Sequence, residues 1–472
     1  MIPAMARTAT LAGARPAFVP VAAAVAIAVV SLWLSSRYVA LSVDARYSLA
    51  WGGELMRGHV PDLAAPELTT PHPLPIVVAA MLAPLGPAAA SDAYALLMVL
   101  SFGVLLYAAF RVARGLAGLA AGMLALALIA TRPRLDFFAA HGFVDVPFTA
   151  LVLLAAAVGA QAPRRNAGRA LALLAVAGLL RPEAWGLSLL YGAFAVLDRS
   201  AAASGRERLR PLKLAALAVA APLAWLGFDL ALTGDAAHSL NGTRSGAVAL
   251  ARATGVEQLW PSFETGIRRL VGWPTAVAGA AMAASGVATA KGHLRGSYAL
   301  TAALAAAGLA AFVVLAYADL PLNDRYLLVP ALALACLAAT GAGGLARRSP
   351  VAIAALLAVL VGALPTLAGD LRETASMLTK TRQKHLADAD LERLLARPDV
   401  LSAIDGCARI TASGSGRAAA AALLARDPAD VPISRSPLPT PGSAAISTAG
   451  SVRLDTPATI REGAWALVER CP

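Results

Sequence analysis

Long apolar runs separated by short polar segments fill most of residues 17–369 of the chain. A helix needs about 20 predominantly apolar residues to cross the hydrocarbon core of a bilayer. The runs therefore predict an α-helical polytopic membrane protein with about eleven transmembrane helices. The predicted spans are residues 17–37, 93–113, 115–131, 145–161, 167–181, 183–197, 212–232, 273–290, 297–317, 326–345 and 350–369. The fifth and sixth are short and meet at Arg181-Pro182, which predicts either a tight hairpin or a departure from a simple crossing.

Three further segments are too long to be simple connections, namely outer loops 40–92 and 233–273 and the tail 371–472. In the first loop, residues 47–57 suit a short interfacial helix. Residues 76–85 are apolar but too short to span, so we expect them to lie along the membrane surface. The tail begins with a charged helical stretch and continues through Gly/Ser-rich and Pro-rich pieces. We predict a membrane body, residues 1–370, and a small α/β domain, residues 371–472, outside the membrane.

The distribution of charge gives this map an orientation. The chain has 40 basic and 28 acidic residues, for a net charge of +12. With the N-terminus in the cytoplasm, the cytoplasmic segments hold sixteen basic residues and two acidic ones. Such an excess of Arg and Lys on the inner side is the positive-inside pattern, and it makes the C-terminal domain extracytoplasmic. The basic excess is thus explained by topology, and no nucleic-acid partner is expected.

Composition narrows the class of protein further. Only 14% of the residues are charged, against about 25% in a soluble domain, which excludes an ordinary soluble globule. The 58% of hydrophobic residues excludes a disordered chain. The sequence is rich in Arg and Ala and has only four lysines. This usage is typical of a high-GC bacterial genome, so we expect a bacterial plasma membrane.

Candidate acids lie where predicted spans meet the outer side. Asp44 follows the first span, Asp145 begins the fourth, and Asp136 lies between the third and fourth. Ionisable groups at membrane depth are costly and usually face an aqueous cavity. One of these carboxylates would then accept a proton from an attacking hydroxyl group. Two simpler interpretations remain open: Asp44 marks the membrane boundary, and Asp145 stabilises a helix N-terminus through the helix dipole.

Candidate cations occur at the same level. Arg181 and Arg325 have the guanidinium geometry that suits phosphate recognition. For Arg181 the alternative is an ion pair with Glu183, and for Arg325 it is an interfacial anchor. The full set of candidate substrate-binding residues is Arg325, Arg181, Tyr326, His72, Glu183, Arg46 and His141.

The sequence supports no metal or nucleotide cofactor. Its three cysteines have no accompanying His pattern of the zinc-site type. No Walker loop or dinucleotide-binding glycine pattern lies in a cytoplasmic segment. The outer histidines are more simply hydrogen-bonding residues than ligands of a divalent metal. Cys407 and Cys471 both lie in the tail, and an oxidising compartment would make them a candidate disulfide.

Four motifs, taken in order, resemble the GT-C superfamily of integral-membrane glycosyltransferases. They are Val43-Asp44-Ala45-Arg46-Tyr47 with the downstream His72-Pro73-Leu74-Pro75, then Val144-Asp145-Val146-Pro147, then Leu180-Arg181-Pro182-Glu183-Ala184, and finally Asp324-Arg325-Tyr326-Leu327. The resemblance covers residues 15–370 and extends to bacterial aminoarabinose transferases, protein mannosyltransferases and actinobacterial mannosyl- and arabinosyltransferases. A departure is that Ala45 follows Asp44, where many members have paired acids, which weakens a metal-dependent mechanism.

The resemblance implies a function and roles for these residues. It implies an inverting transferase that moves a sugar from a polyprenyl-phosphate donor to an envelope glycan, lipid or protein acceptor on the outer membrane face. Asp44 would be the general base, or would orient the acceptor hydroxyl. Asp145 would line the same cavity, with Asp136 as a reserve. Arg325 and Arg181 would bind the lipid phosphate. The alternatives are a transporter or flippase for a lipid-linked precursor, and a non-catalytic envelope-assembly protein.

Overall fold

A computed structural model describes most of the chain. The described residues are 15–36, 41–63, 70–163, 165–197, 210–249, 252–344, 350–413, 416–424, 426–433, 439–451 and 459–471. The membrane body is helical from α1 to the first part of α17. Its helices are α1 Arg15–Ser36, α2 Val43–Met56, α3 Pro73–Leu82, α4 Pro87–Ala117, α5 Leu119–Ala130, α6 Pro133–Ala140, α7 Asp145–Gln161, α8 Ala167–Gly178, α9 Glu183–Leu197, α10 Arg210–Thr233, α11 His238–Ala249, α12 Leu259–Leu270, α13 Trp273–Thr289, α14 Gly292–Tyr317, α15 Leu328–Ala339, α16 Gly341–Gly344 and α17 Pro350–Leu395.

Several of these helices have the length and hydropathy of membrane spans. Among the described residues, four pass on both criteria: α4, α10, α14 and the segment Asp324–Gly343. Two bent pairs pass when each is taken as one span. These are α6 with α7, bent by 113°, and Val256–Leu270 with α13, bent by 92°. The figure of about eleven spans remains a prediction, because several apolar helices, such as α5 and α8, are short.

The core of the membrane body lies where α4, α7 and α15 meet. Phe102 and Phe110 of α4 are fully buried there, together with Phe312 of the neighbouring α14. Small residues allow the helices to approach closely, as is usual in membrane bundles. At Gly279 of α13, an added Cβ would overlap the backbone carbonyl of Leu334 in α15. Small residues such as Gly279 therefore set the distance between α13 and α15.

Helix α2 places the first motif beside the bend between α6 and α7. The Ser42 hydroxyl caps α2 by accepting a hydrogen bond from the Ala45 amide at 3.2 Å. The Ser42 amide donates to the His141 carbonyl at 2.7 Å, so the start of α2 is fixed to that bend. Tyr47 and Trp51 of α2 are buried, with their rings stacked at a centroid distance of 5.3 Å. Asp44, in the first turn, is consequently held at a defined point beside the bend.

The C-terminal domain is built on the end of α17. This helix has 46 residues and runs without a break through residue 370. The rest comprises α18 Pro398–Asp405, β1 Arg409–Ala412, α19 Arg417–Leu423, β2 Ser443–Thr448, β3 Thr459–Glu462 and β4 Trp465–Glu469. The strand order is β1-β2-β4-β3; β1 and β2 are parallel, and the other two pairs are antiparallel. A disulfide joins Cys407 and Cys471, with Cα atoms 5.3 Å apart. The bounds 1–370 and 371–472 remain a prediction.

Candidate active site

An ion pair between two of the motifs forms the centre of the candidate site. Asp44 comes from the first turn of α2, and Arg325 from a single 3₁₀ turn, Asp324–Leu327, just ahead of α15. Arg325 Nη1 donates to Asp44 Oδ2 at 2.9 Å across 281 positions of sequence. The two side chains are 21% and 20% exposed. The pair is therefore sheltered from bulk water but open to a ligand on one side.

The charge of Arg325 governs the ionisation of Asp44. Burial alone would raise the pKa of this carboxyl, but the charge and hydrogen bond of Arg325 outweigh it and hold the pKa of Asp44 below its usual range. Asp44 is therefore a carboxylate at neutral pH. It can accept a proton there without first having to lose one.

A second set of charges lies directly behind Arg325. Asp145, at the start of α7, is 1% exposed and lies 3.7 Å from Arg325 Nη1. Arg181 forms an ion pair with Asp145 and another with Glu183 at 2.5 Å. The charges thus alternate from Asp44 to Glu183, so that each buried guanidinium contacts carboxylates on two sides. Asp145 was expected to line the cavity, but in the structure it supports Arg325 from behind.

Aromatic rings fix the planes of both guanidinium groups. The Arg181 guanidinium lies over the Tyr326 ring at 4.4 Å, and that of Arg325 lies 5.7 Å from the same ring. Phe143 lies 5.3 Å from the Arg325 guanidinium. Cation–π contacts of this kind restrict the orientation of an arginine as well as stabilising its charge. Tyr326 therefore belongs to the site by holding Arg181 and Arg325 in place.

His72 lies close to these charges as a neutral ring. Burial, together with the positive charge of Arg181, lowers the pKa of His72 to about 4. The edge of its ring meets Trp225 at a centroid distance of 5.6 Å. Its buried Nδ1 has no hydrogen-bond partner within the described part of the chain. His72 therefore lies beside the charged cluster but is not part of the wall of the adjacent cavity.

The Asp44–Arg325 pair forms part of the wall of a cavity of about 730 Å³. His141 also lines it, with Nδ1 donating to the Phe137 carbonyl at 2.8 Å. The wall contains five Lys and Arg side chains and two carboxylates: Arg134, Arg252, Arg325, Lys380 and Lys384, with Asp44 and Asp324. The cavity is consequently positive and suited to anionic groups.

Two predicted site residues lie elsewhere. Asp136 is in the first turn of α6 and is not part of the cavity wall. Arg46 points to the other side of α2, where its guanidinium pairs with Asp388 of α17 and lines a second cavity of about 670 Å³. Asp44 and Arg46 are two positions apart on a helix, so they face different directions. Asp44 and Arg46 were expected to meet the same substrate, but in the structure they line different cavities.

Several residues of the wall were absent from the sequence-based set. Arg134 and Asp324 form an ion pair at 2.7 Å; Arg134 lies two positions before Asp136, and Asp324 begins the fourth motif, directly before Arg325. Lys380 and Lys384 are four positions apart in the charged helical stretch of the tail, a spacing that puts both on one helix face. That spacing was the available indication of a shared role. Arg252 gave no such indication.

The described residues contain no group of three or more His, Cys, Asp or Glu side chains arranged to hold a metal ion. The expectation from the sequence that no metal cofactor is needed remains a prediction.

Comparison with known proteins identifies the fold. No family model matches the sequence, and no curated protein matches it. ArnT from Cupriavidus metallidurans, in a crystal structure bound to undecaprenyl phosphate, is 14% identical, has a TM-score of 0.58, and aligns over 95% of this chain and 97% of its own. Its apo structure is also 14% identical, with a TM-score of 0.59 and coverage of 96% and 98%. An apo oligosaccharyltransferase from Archaeoglobus fulgidus is 13% identical, with a TM-score of 0.48 and coverage of 86% and 64%.

The likeness to ArnT over nearly the whole of both chains shows that this protein has the GT-C membrane fold. The predicted fold class, a multi-pass helical body with a small C-terminal α/β domain, is confirmed.

Proposed function

We propose that this protein is an inverting glycosyltransferase. It moves a sugar from a polyprenyl-phosphate donor to a cell-envelope glycan, lipid or protein acceptor on the outer face of the bacterial plasma membrane. The shared fold with ArnT, whose structure holds undecaprenyl phosphate, supports the class of donor. The observation that carries the proposal is the Asp44–Arg325 pair, 2.9 Å apart in the wall of a positive cavity.

The chemistry requires one proton acceptor and one stabilised leaving group. The acceptor hydroxyl oxygen attacks the anomeric carbon and its proton passes to Asp44. The bond between the anomeric carbon and the phosphate oxygen breaks, and its electron pair stays on the phosphate. Negative charge therefore builds up on the lipid phosphate, where the Arg325 guanidinium stabilises it. A single displacement of this kind inverts the anomeric centre.

The pairing of Asp44 with Arg325 links these two roles. In the structure Arg325 lowers the pKa of Asp44 and so weakens it as a base. When Arg325 turns its donors to the donor phosphate, the charge at Asp44 is less compensated and its pKa rises. Asp44 then becomes a stronger base only when the donor is bound. Asp145 and Arg181, buried behind, keep Arg325 from swinging away altogether.

The proposal is tested with purified protein, a panel of radiolabelled polyprenyl-phosphate sugars and total envelope acceptors. We expect Asp44→Asn to lower turnover about 10²–10⁴-fold, the usual contribution of a general base. Arg325→Gln should cost about 10²–10³-fold, as for loss of a donor to a developing oxyanion. Asp405→Asn, which changes an exposed aspartate of the C-terminal domain, serves as the control and should leave turnover unchanged.

Each contrary outcome has a distinct meaning. Full turnover by folded Asp44→Asn protein would contradict the site but keep the class of enzyme. No transfer from any donor in the panel would contradict the proposed activity. The prediction that no divalent metal is needed fails if chelation with EDTA abolishes transfer and added Mg²⁺ or Mn²⁺ restores it.

The proposed topology has the N-terminus in the cytoplasm and the C-terminal domain outside. The disulfide between Cys407 and Cys471 supports this side, because such bonds persist in oxidising compartments. Alkaline phosphatase fused after residue 472 should be active in bacterial cells, since the enzyme needs export. An inactive but intact fusion would contradict the topology.

A further inference from the structure

The cavity contains more positive charge than its acids can pair. Asp44 pairs with Arg325 at 2.9 Å, and Asp324 pairs with Arg134 at 2.7 Å. The other three cations of the wall are Arg252, Lys380 and Lys384. None of the three has an ion pair with an acid within the described ranges. Three like charges around one cavity repel each other, so the cavity is complementary to an anion.

Two of these cations belong to one face of α17. Lys380 and Lys384 are four positions apart, one helical turn, and Asp388 follows one turn later on the same face. Asp388 is already paired with Arg46. Lys380 is exposed and Lys384 is half-buried. Burial, and then the charge of Arg46, lower the pKa of the Lys384 ammonium, and the charge of Asp388 opposes them only in part.

The charge of the donor accounts for only part of this excess. A polyprenyl-phosphate sugar is a phosphodiester and carries one negative charge. Arg252 acts electrostatically on Asp44, so it belongs with Arg325 on the side where the donor phosphate and the attacking hydroxyl meet. Asp388, the carboxylate that acts on Lys384, is already paired with Arg46. Lys380 and Lys384 therefore have no ion pair of their own among the described residues, even when the donor is bound.

We propose that Lys380 and Lys384 bind an anionic group, a phosphate or a carboxylate, on the acceptor. The inference rests on the proposed glycosyl transfer and names the chemical class of the acceptor: a glycan or lipid whose reacting hydroxyl lies within one cavity's width of a negative charge. The lysines thereby select acceptors and position the hydroxyl against Asp44.

The location of the two lysines favours the acceptor over the donor. With the membrane part of α17 ending near residue 369, as predicted, Lys380 lies roughly 16 Å farther along the helix. The donor's lipid chain has to enter from the bilayer, whereas this part of α17 belongs to the C-terminal domain. An acceptor group arriving from the aqueous side meets Lys380, the exposed residue, first.

The chain offers a direct test because it has only four lysines. The other two, Lys213 and Lys291, are exposed, do not line this cavity and serve as internal controls. Full-length protein in nanodiscs is treated with an amine-reactive reagent, and labelling of each lysine is followed by mass spectrometry. The probes are glucose 6-phosphate, glucuronate and neutral glucose, each with and without saturating undecaprenyl phosphate.

We expect glucose 6-phosphate or glucuronate to protect Lys380 and Lys384 but not the control lysines, and neutral glucose to protect none. At ten times the dissociation constant, labelling should slow about tenfold. Which anion protects decides between phosphate and carboxylate. Protection should persist with undecaprenyl phosphate present. Protection by undecaprenyl phosphate alone, with no further effect of the soluble anions, would assign the lysines to the donor and overturn the proposal, as would protection by no anion. Labelling needs no turnover, so its result is independent of the proposed activity.

Kinetics give a second test. The double variant Lys380→Gln/Lys384→Gln should raise the KM for the acceptor at least about tenfold and leave the KM for the donor unchanged. This corresponds to the loss of a charge-assisted hydrogen bond of about 1.5–3 kcal/mol. The matched control is Lys213→Gln/Lys291→Gln, which should behave as the wild type. A rise in the donor KM instead would overturn the assignment to the acceptor.

Discussion

The ion pair between Arg46 and Asp388 connects the helix that carries Asp44 to the C-terminal domain. Both nitrogen tips of the Arg46 guanidinium contact the two oxygens of Asp388, and the side chains are only 12% and 19% exposed. Exposed pairs contribute about 0–1 kcal/mol, and breaking a fully buried pair costs about 3–5 kcal/mol. The intermediate burial gives about 2 kcal/mol for this pair, equivalent to roughly a 30-fold change in an equilibrium constant.

Exchanging the two charges tests this value. We expect Arg46→Glu and Asp388→Arg each to lower the apparent Tm in detergent and the initial rate of the proposed sugar transfer, because each places like charges face to face. The double variant Arg46→Glu/Asp388→Arg should recover most of both losses. Recovery will be incomplete, since Arg46 Nε also donates to the Leu41 carbonyl at 3.1 Å. Arg382→Glu, at an exposed position on the same helix with no ion pair within the described part of the chain, is the control and should change stability by no more than about 0.5 kcal/mol.

One result would refute the reasoning. If Arg46 binds substrate, as the sequence suggested, Arg46→Glu will remain inactive whatever residue stands at position 388. A double variant no better than Arg46→Glu alone would therefore contradict a positioning role for the pair. Recovery of Tm without recovery of transfer would separate the two roles and assign Arg46 to the substrate.

Three further predictions concern stability. The pKa of His72 is about 4 in the folded protein against 6.5 when unfolded, so its contribution, at most about 3 kcal/mol, is complete above pH 6.5 and is lost as the pH falls towards 4. His72→Asn should flatten the dependence of Tm on pH in that window. Replacing Cys407 and Cys471 by Ser opens a 64-residue separation and should destabilise the C-terminal domain by about 4 kcal/mol, seen as a lower urea midpoint. Gly279→Ala should lower the Tm because its Cβ overlaps a neighbouring backbone, whereas Gly296→Ala, in open space on α14, should not.

The fold was predictable because its main features are local in sequence. Apolar runs define the helices of the body, and the alternation of Pro, Gly and polar residues in the tail indicated a small α/β domain. The segments predicted to lie at the surface are α2 and α3 in the structure. The boundary between the last predicted span and the tail was not predicted correctly as a break between helices. The predicted span 350–369 and the helical stretch after it form the single helix α17, because no Gly or Pro follows Gly369 to end it.

The site was predictable as a set of residues and not as a set of contacts. Sequence placed Asp44 and Arg325 at one membrane level, but their pairing across 281 positions follows from tertiary packing. The same limit applies to Arg46, whose partner Asp388 is 342 positions away. The periodicity of a sequence shows which residues share one face of a helix, but it does not show which other element packs against that face. Asp145 illustrates this. Its position at the start of a helix is equally compatible with a place in the cavity wall and with the buried ion pair to Arg181 that the structure shows.

The unbroken course of α17 makes the cavity sensitive to helical phase. The helix is about 69 Å long and carries Lys380, Lys384 and Asp388 on one face at its far end. One residue inserted between the membrane part and Lys380 would turn that face by about 100°, taking the lysines out of the wall and Asp388 away from Arg46. An insertion of four residues would restore the direction within about 40° but shift it by one turn. The number of residues between the membrane part of α17 and Lys380 is thus constrained by the cavity, although among the described residues of this helix only Lys380 and Lys384 line it.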